Sequence, residues 1–199
     1  DLVFARGGAT ARVAIKLKQR SYDIQRIDGL PPAMVTPPKD ALPRIARGAK
    51  LKRAARAIAS ADDGFAEGFK WPTKGRVTGV YGSQRFYNGE ARRPHFGIDI
   101  AAPRGTPVTA AASGTVTLAE ADMYFEGGLI FIDHGLSLTS AYMHLDSLKV
   151  EVGQKVQRGD VIATVGSTGR STGPHLDWRM FWRGARLDPA LLAAGQPNK

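Results

Sequence analysis

One short segment of the chain places a histidine and an aspartate four residues apart, as His95 and Asp99. Both side chains are common metal ligands, and a single Zn²⁺ ion holds each ligand atom at ~2 Å. In a straight strand, residues four apart face the same side but lie ~13 Å from each other. The chain must therefore bend between them if they are to share one ion, and Gly97 permits such a bend.

A second segment, from His175 to Trp182, alternates between polar and apolar residues as far as Met180. His175, Asp177 and Arg179 fall on one face, whereas the other face is apolar and carries Leu176, Trp178, Met180 and Trp182. A period of two predicts a strand with one face in the core and a polar face that points into a groove. Because His175 and Asp177 are two residues apart on this face, they can reach one site.

A third segment, residues 140–145, alternates in the same way. Tyr142 and His144 are predicted to share one face, and the other carries Ala141, Met143 and Leu145. For any one histidine, burial beside a hydrogen-bond partner in the core is the simpler explanation. Three strands that each present polar side chains from an apolar sheet favour a common site instead, because unpaired buried charges are costly.

The elements that must position these residues are short apolar runs separated by turn residues, which recur throughout residues 71–199. Such a pattern predicts an antiparallel β fold. The predicted fold class is therefore mainly β: an antiparallel sheet or sandwich that carries all four histidines, preceded by a small β-plus-helix region. We place the boundary near residue 70, which leaves residues 1–70 as an N-terminal arm or small domain and residues 71–199 as the domain with the site.

Within the first 70 residues, an alternating pattern over residues 13–17 predicts a strand, and residues 22–27 predict a second one. Four prolines between residues 31 and 38 predict an extended connector, because proline cannot donate a backbone hydrogen bond. The stretch rich in Ala, Arg and Lys over residues 40–60 predicts a basic helix, with Asp40 as its N-cap.

The net charge of +10 is unevenly distributed along the chain. Residues 1–70 carry 14 Lys and Arg against 7 Asp and Glu, whereas residues 71–199 carry 14 against 11. The basic excess at the N-terminal end is typical either of a solvated surface or of a surface for nucleic acid, anionic lipid or an anionic cell-wall polymer. Since no nucleic-acid-binding motif accompanies it, we predict no nucleic-acid partner. The absence of cysteine excludes disulfide bonds and Cys-ligated metal.

The three chemical segments together resemble the LytM/lysostaphin-like metallopeptidases. His95-x-x-x-Asp99 with the following residues 101–108 is similar to the first metal motif of that family. Residues 142–145 resemble its central histidine segment, and residues 166–176 resemble the loop that leads into its His-x-His strand. The likeness extends from about residue 75 to about residue 182.

The resemblance implies a zinc-dependent endopeptidase that hydrolyses peptide cross-links of peptidoglycan, whose peptide stems lie in a groove of the sheet. It implies that His95 and Asp99 bind Zn²⁺, and that His144 and His175 are catalytic, through proton handling and oxyanion stabilisation. It also implies a bacterial cell-envelope location, periplasmic or secreted. Because the chain shows no signal peptide and no apolar run near ~18 residues, we expect a mature or trimmed product without a transmembrane segment.

The sequence departs from the family at one position, since Asp177 stands where the family has the second histidine of His-x-His. An aspartate can ligate zinc at ~2.0–2.2 Å, so we predict Asp177 as the third metal ligand. Two carboxylates make the ion a weaker Lewis acid than one does. The alternative function is a catalytically weak or inactive LytM-like regulator that binds a cell-wall amidase or the wall itself, and retention of the other four motif residues favours the enzyme.

Two further residues are candidates for substrate binding. Arg85 either anchors a substrate carboxylate in a bidentate manner or forms a salt bridge on the sheet surface. Tyr142 either supports the groove or packs in the core. The turn around His134 favours a structural role for that histidine over a catalytic one.

Overall fold

The structure is a computed structural model that describes residues 2–6, 8–14, 16 and 19–195. Its N-terminal third holds three strands, β1 (Leu2–Arg6), β2 (Ala9–Val13) and β3 (Ile24–Ile27). The helices α1 (Pro32–Val35) and α2 (Leu42–Ala57) follow. Short 3₁₀ turns occupy Lys39–Ala41, Gly64–Glu67 and Pro189–Leu191.

The rest of the described chain is built from short strands. They are β4 (Arg76–Gly79), β5 (Gln84–Tyr87), β6 (Glu90–Ala91), β7 (Ile98–Ala101), β8 (Pro107–Thr109), β9 (Gly114–Met123), β10 (Gly127–Asp133), β11 (Leu138–Leu148), β12 (Lys155–Val156), β13 (Val161–Val165), β14 (His175–Trp182) and β15 (Ala185–Leu187).

One large antiparallel sheet has the strand order β12-β9-β10-β11-β14-β7-β4. Strands β8, β13 and β15 attach to it, β13 beside β11 and β15 beside β14. Strand β3 pairs in parallel with β5, which pairs in turn with β6, so that the N-terminal part extends a small second sheet. The predicted mainly antiparallel β fold class is confirmed.

The core face of strand β14 explains why the site residues are held in place. Leu176, Trp178 and Met180 are fully buried, and they pack with Ile100 of β7 and Tyr142 of β11. Burial of each such side chain contributes roughly 1.5–3 kcal/mol. Because side chains alternate along a strand, this packing turns the odd-numbered residues of β14 to the opposite face. Trp182, which was expected in the core, lies at the strand end and is 47% exposed.

Helix α2 packs on the face of the sheet that lies opposite the core face of β14. This is the face that carries the site, and the helix covers the part of it beyond the site. Its buried Ala55 packs in a second apolar cluster with Leu118, Leu129, Phe131, Met143 and Phe181. At Gly48 an added Cβ would lie 3.1 Å from Met123 Sδ, which shows how closely the helix approaches the sheet. One face of the sheet therefore carries polar residues at one end and a helix-covered apolar cluster at the other.

The N-terminal predictions are only partly right. Strand β2 ends at Val13, and Ile15 and Leu17 lie outside the described residues. The second strand is confirmed over Ile24–Ile27, but the proline-rich connector contains the helical turn α1. Asp40 is not the N-cap, because a 3₁₀ turn precedes α2 and Ala41 takes the N-cap position without a side-chain cap.

Several basic side chains of α2 face acidic residues at the end of β9 and in the following turn. Arg44 lies 2.6 Å from Asp122 and Arg47 lies 3.4 Å from Glu120, and Lys52 pairs with Glu126. The two exposed pairs of Arg44 and Arg47 contribute at most ~1 kcal/mol each, whereas the side chains of Lys52 and Glu126 are only 21% and 18% exposed. Binding of an anionic polymer by the remaining basic residues stays a prediction.

In the described part of the chain, we find no helix of the length and hydropathy that a membrane span requires.

The predicted boundary near residue 70 can be tested with two deletions, because only one of them keeps α2. Deletion of residues 1–37 removes the buried Leu30 and Val35 but keeps α2, so it should lower the melting temperature less than the longer deletion does. Deletion of residues 1–70 should lower it by roughly 5 °C or more, since loss of the helix uncovers the second cluster and each kcal/mol shifts Tm by ~2–4 °C at this size. Equal melting temperatures for both deletions would favour the boundary at residue 70.

Candidate metal centre

The register of the central strands brings the three chemical segments together. Strand β14 lies between β11 and β7, and Asp177 is paired with Asp99 on one side and with Met143 on the other. His95 lies just before β7. The three predicted metal ligands, His95, Asp99 and Asp177, are buried, and each offers a ligand atom within 4.8 Å of the other two.

The distances between ligand atoms of this group can be compared with the spacing that a small metal ion requires. His95 Nε2 lies 3.3 Å from Asp99 Oδ1, and His95 Nδ1 lies 4.0 Å from Asp177 Oδ2. At zinc–ligand distances of ~2.0–2.1 Å, tetrahedral ligand atoms lie ~3.3 Å apart. His95 Nε2 and Asp99 Oδ1 already have this spacing, whereas the 4.0 Å distance joins Asp177 to the other ring nitrogen of His95.

Three atoms of this group are buried without a hydrogen-bond partner in the described chain. They are Asp99 Oδ1 and both ring nitrogens of His95. A buried polar atom without a partner costs ~1–3 kcal/mol, and native structures contain few of them. A cation would satisfy Asp99 Oδ1 and one of the two ring nitrogens of His95, because an imidazole ligates an ion through a single nitrogen. His95 and Asp99 therefore fit a metal ion.

Each of the two carboxylates is also paired with an arginine. Arg179 donates from Nε to Asp177 Oδ1 at 3.0 Å and from Nη2 to Asp177 Oδ2 at 2.7 Å, a bidentate pair. Arg85 donates to Asp99 Oδ2. Of the two alternatives predicted for Arg85, the structure has the ion pair, and it is buried in the site rather than on the surface. The sequence placed Arg179 on the groove face without identifying its partner.

These arginines keep the carboxylates ionised. Burial favours the neutral acid, but His95 and then Arg85 lie close enough to hold the pKa of Asp99 well below its usual range. For Asp177, burial is again opposed, chiefly by Arg179 and then by His95, and the pKa is lowered. The ionised form is the one that ligates a metal.

Glycines allow the close approach of the segments around these side chains. A Cβ at Gly97 would lie 2.5 Å from Asp177 Oδ1 and 2.6 Å from Arg179 Cγ. A Cβ at Gly79 would overlap the carboxylate of Asp99. The bend at Gly97 was predicted, but the reason for glycine there is space for Asp177 and Arg179. Gly79 gave no signal in the sequence, because β4 meets Asp99 only in the folded sheet.

The two predicted catalytic histidines stand together at the edge of this group. Their ring centroids are 4.7 Å apart. His144 Nδ1 lies 2.9 Å from the carbonyl oxygen of Thr168, and His175 Nδ1 lies 2.8 Å from that of Gly173. A carbonyl accepts, so each neutral ring carries its proton on Nδ1 and leaves Nε2 as an acceptor. Burial, and then the neighbouring His175, lower the pKa of His144 to about 4, which keeps it neutral near pH 7.

The prediction that Tyr142 and His144 share a face is wrong. Between its pairings with β10, strand β11 has an extra residue, and His144 adopts a left-handed φ of 63°. This bulge turns both Met143 and His144 to the groove. Tyr142 is fully buried in the main core, where its hydroxyl accepts from the backbone amide of Ala111 at 2.9 Å. Tyr142 therefore packs and does not face the groove.

His134 is buried near Tyr142. Its Nδ1 lies 2.8 Å from the carbonyl oxygen of Ser113, and its Nε2 lies 2.7 Å from Ser140 Oγ. Ser140 Oγ in turn donates to the Tyr142 hydroxyl at 3.0 Å. With both ring nitrogens engaged inside the core, His134 has the structural role that was expected.

A groove of about 380 Å³ opens over the site, and the N-terminal part of the chain forms part of its wall. Gln25 accepts from Arg85 Nε at 3.0 Å and donates to the carbonyl of Thr78 at 3.1 Å. Leu30 also lines the groove, together with Arg170 on the loop before β14. Sequence analysis missed Gln25 and Leu30, because no local pattern links them to the histidines.

The segment over residues 24–35 contacts both sides of this groove. On the side of β5 and β6, the amide of Leu30 donates to Asn88 Oδ1 at 3.2 Å, and Arg92 donates to the carbonyl of Val35 at 2.8 Å. On the other side, the Tyr124 hydroxyl donates to the carbonyl of Ala33 at 2.8 Å. The groove is therefore bounded by residues that are far apart in the sequence.

Comparison with known proteins identifies the part of the chain that carries this site. The model of peptidase family M23 matches residues 93–189. Peptidoglycan DD-endopeptidase ShyA of Vibrio cholerae is 38% identical over 132 residues, which cover 64% of this chain and 30% of ShyA. The chain spans roughly a quarter to a half of the length of the curated relatives it matches.

Solved structures give the same result. The catalytic domain of the prophage-encoded M23 protein EnpA from Enterococcus faecalis, solved as a point mutant, is 30% identical with a TM-score of 0.53, over 64% of this chain and 95% of that one. A zinc-containing peptidase from Vibrio cholerae is 32% identical with a TM-score of 0.56, over 61% of this chain and 39% of that one.

The role of Gly97 gives a prediction about the integrity of the site. Gly97→Ala should lower the free energy of unfolding by ~1–3 kcal/mol, the usual cost of overpacking, because the added methyl meets Asp177 and Arg179. Gly173→Ala is the matched control, since a Cβ at Gly173 meets nothing within 4 Å. Urea unfolding of both variants measures the difference. An equal cost at the two positions would contradict the close approach at Gly97.

Proposed function

This chain belongs to peptidase family M23, and on that basis we propose that it is a zinc-dependent endopeptidase that hydrolyses peptide cross-links of peptidoglycan. The observation that carries the proposal is the buried group of His95, Asp99 and Asp177, in which three ligand-type atoms have no hydrogen-bond partner among the described residues. It lies in a groove beside two histidines whose Nε2 atoms are free to accept.

His95, Asp99 and Asp177 are the residues that would hold the ion. Once bound, zinc would supply a Lewis acid for the scissile carbonyl and for water. A zinc-containing peptidase with a similar fold supports this choice of metal. The ligand set departs from the His/Asp/His pattern of the resemblance only at Asp177, whose carboxylate is ionised and therefore able to coordinate.

His144 and His175 are the proposed catalytic residues. Since their Nδ1 atoms donate to backbone carbonyls, each ring is held in one orientation with Nε2 toward the groove. A neutral imidazole in this tautomer accepts a proton from water and later returns it to the leaving amine. The lowered pKa keeps His144 neutral over the physiological range, and His175, at the more open edge, shares the proton handling.

The proposed substrate class follows from the relatives and from the groove. ShyA is named as a peptidoglycan DD-endopeptidase, which supports a peptide stem of peptidoglycan as the ligand and a bacterial cell envelope as the location. The groove is lined by polar side chains of the loop before β14, Ser171 and Thr172, and by Arg170. Such groups suit an extended peptide that carries carboxylates.

A second candidate function is a LytM-like regulator that binds a cell-wall amidase or the wall without cleaving it. The observation that favours it is the bidentate Arg179–Asp177 pair, together with the Arg85–Asp99 pair. These two guanidinium groups neutralise both carboxylates without an ion. A site that is charge-balanced by the protein itself can keep its shape in a protein that has no catalytic metal.

The first test is metal content. The purified full chain, equilibrated with Zn²⁺ and freed of excess ion, should hold about one zinc per chain, as expected for a single three-ligand site. His95→Ala should lose that zinc, because it removes the one nitrogen ligand of the group. His144→Ala should keep it and serves as the control. A wild-type chain that takes up no zinc under these conditions would favour the regulator.

The second test separates catalysis from metal binding. In the zinc-loaded chain, His144→Ala or His175→Ala should lower the rate of muropeptide release by ~10²–10⁴-fold, which is typical when a proton-transfer or oxyanion group is removed. Zinc content, measured on the same samples, should stay unchanged. If either substitution removes the metal, that histidine is a ligand and the division of roles is wrong.

A further inference from the structure

We propose that Arg179 sets the affinity of this site for a divalent metal ion, because it competes with the ion for the carboxylate of Asp177. The inference rests on the zinc site of the proposed function. It concerns Arg179, a residue outside the ligand set. It implies that Asp177, the third ligand, is available to the ion only to the extent that Arg179 releases its carboxylate.

The two carboxylates of the site differ in how many of their oxygen atoms are bonded by an arginine. Asp99 is bound by Arg85 through Oδ2 alone, and its Oδ1 has no hydrogen-bond partner in the described structure, 3.3 Å from His95 Nε2. Asp177 is bound by Arg179 through both oxygens, at 3.0 and 2.7 Å. One carboxylate therefore presents an open oxygen to an ion, whereas the other has each oxygen engaged by a cation.

Packing holds the Arg179 side chain in this position. The space at Gly97 is taken by Arg179 Cγ and Asp177 Oδ1, either of which would overlap a Cβ there. The side chain of Arg179 is 30% exposed and lines the groove, while that of Asp177 is 2% exposed. The pair is thus fixed on the strand side and open on the groove side, where an ion would arrive.

Two effects of opposite sign act on metal binding here. A hydrogen-bond partner that orients a ligand usually strengthens binding, and its loss typically costs ~10–100-fold in affinity. For a histidine ligand such partners are carboxylates, carbonyls or water, which accept from the ring and raise its basicity. Arg179 is a permanent cation, so it lowers the basicity of Asp177 and repels a divalent ion at the same carboxylate.

The repulsion should win, because a carboxylate in a fork-to-fork pair has its lone pairs directed at the guanidinium. An ion can reach Asp177 only through the remaining lone pairs or after Arg179 moves into the groove. Asp177 would also stay in place without Arg179, since its backbone is paired with Asp99 and Met143 in the middle of the sheet. Orientation is therefore supplied by the strand, and the arginine contributes mainly charge.

The test is a zinc titration of the full chain against a chromophoric chelator. Arg179→Gln should bind Zn²⁺ about 10-fold more tightly than wild type or better, the reverse of the usual loss. Arg179→Lys, which keeps the charge but not the fork, should lie between them. Arg53→Gln is the charge-matched control, because Arg53 is exposed on α2 and does not line the groove, and it should stay within about twofold of wild type.

Thermal melting with and without Zn²⁺ gives a second measurement if Arg179→Gln folds poorly. Its melting temperature should rise more on zinc addition than that of wild type, since the ion replaces the lost positive charge beside Asp177. Affinity in Arg179→Gln that is equal to or weaker than wild type, with no larger rise in Tm, would overturn the inference.

The titration also distinguishes this inference from the proposed function. If wild type binds zinc and loses it in His95→Ala, while Arg179→Gln is unchanged, only the role of Arg179 is wrong. If Arg179→Gln binds zinc and wild type does not, Arg179 suppresses metal binding, and the wild-type chain is the regulator. If no variant binds zinc, both the metal site and the role of Arg179 are overturned.

Discussion

The site depends on one constraint, the position of strand β14 between β11 and β7. Trp178, Leu176 and Met180 anchor one face of β14 in the core, and a shift of one residue would move all three to the groove and bury Asp177 among apolar side chains. Pairing on both edges prevents that shift. The meeting of Asp177 with Asp99 and His95 follows from this register.

The faces of β14 could be read from the sequence, because polar and apolar residues alternate from His175 to Met180, whereas the pairing of this strand with β11 and β7 could not. The mainly β fold class followed from the same kind of local pattern, whereas the ligand set of His95, Asp99 and Asp177 was implied by the resemblance to the metallopeptidase family. The orientation of Tyr142 did not, since a bulge at His144 reverses the faces of β11, and a bulge depends on the partner strand. The exposed Trp182 was missed because alternation does not indicate where the core ends.

The partners of the carboxylates could not be predicted either, for a different reason. Arg85 reaches Asp99 from one strand and is bound by Gln25 of another, and the meeting of the three residues is a result of sheet order. Arg179 is only two residues from Asp177, but the same spacing also suits two exposed residues of opposite charge. Whether these two residues pair depends on the burial of Asp177, because a buried carboxylate without a partner is strongly destabilising and a paired one is not.

The balance of charge in the site links the fold to its chemistry. Two buried carboxylates next to each other repel, and the two guanidinium groups that neutralise them make the group stable in the absence of an ion. The same neutralisation weakens the attraction for a metal ion, so stability of the empty site and affinity for the ion oppose each other. Asp99 Oδ1 and one ring nitrogen of His95, which have no hydrogen-bond partner among the described residues, are the part of the site left open to the ion.

Two of the residues that surround the carboxylates lie outside the part of the chain that matches the family. The match to peptidase family M23 begins at residue 93, and neither Arg85 nor Gln25 lies within it. The segment over residues 24–35 forms one wall of the groove, where it is held by a few hydrogen bonds, each worth ~0.5–1.5 kcal/mol, and by a cluster of three buried residues, Leu30, Val35 and Tyr87. These contacts are much weaker than the core of the sheet. The ligand groups thus rest on the most stable part of the molecule, whereas the groove that admits a ligand is bounded by the part that is easiest to displace.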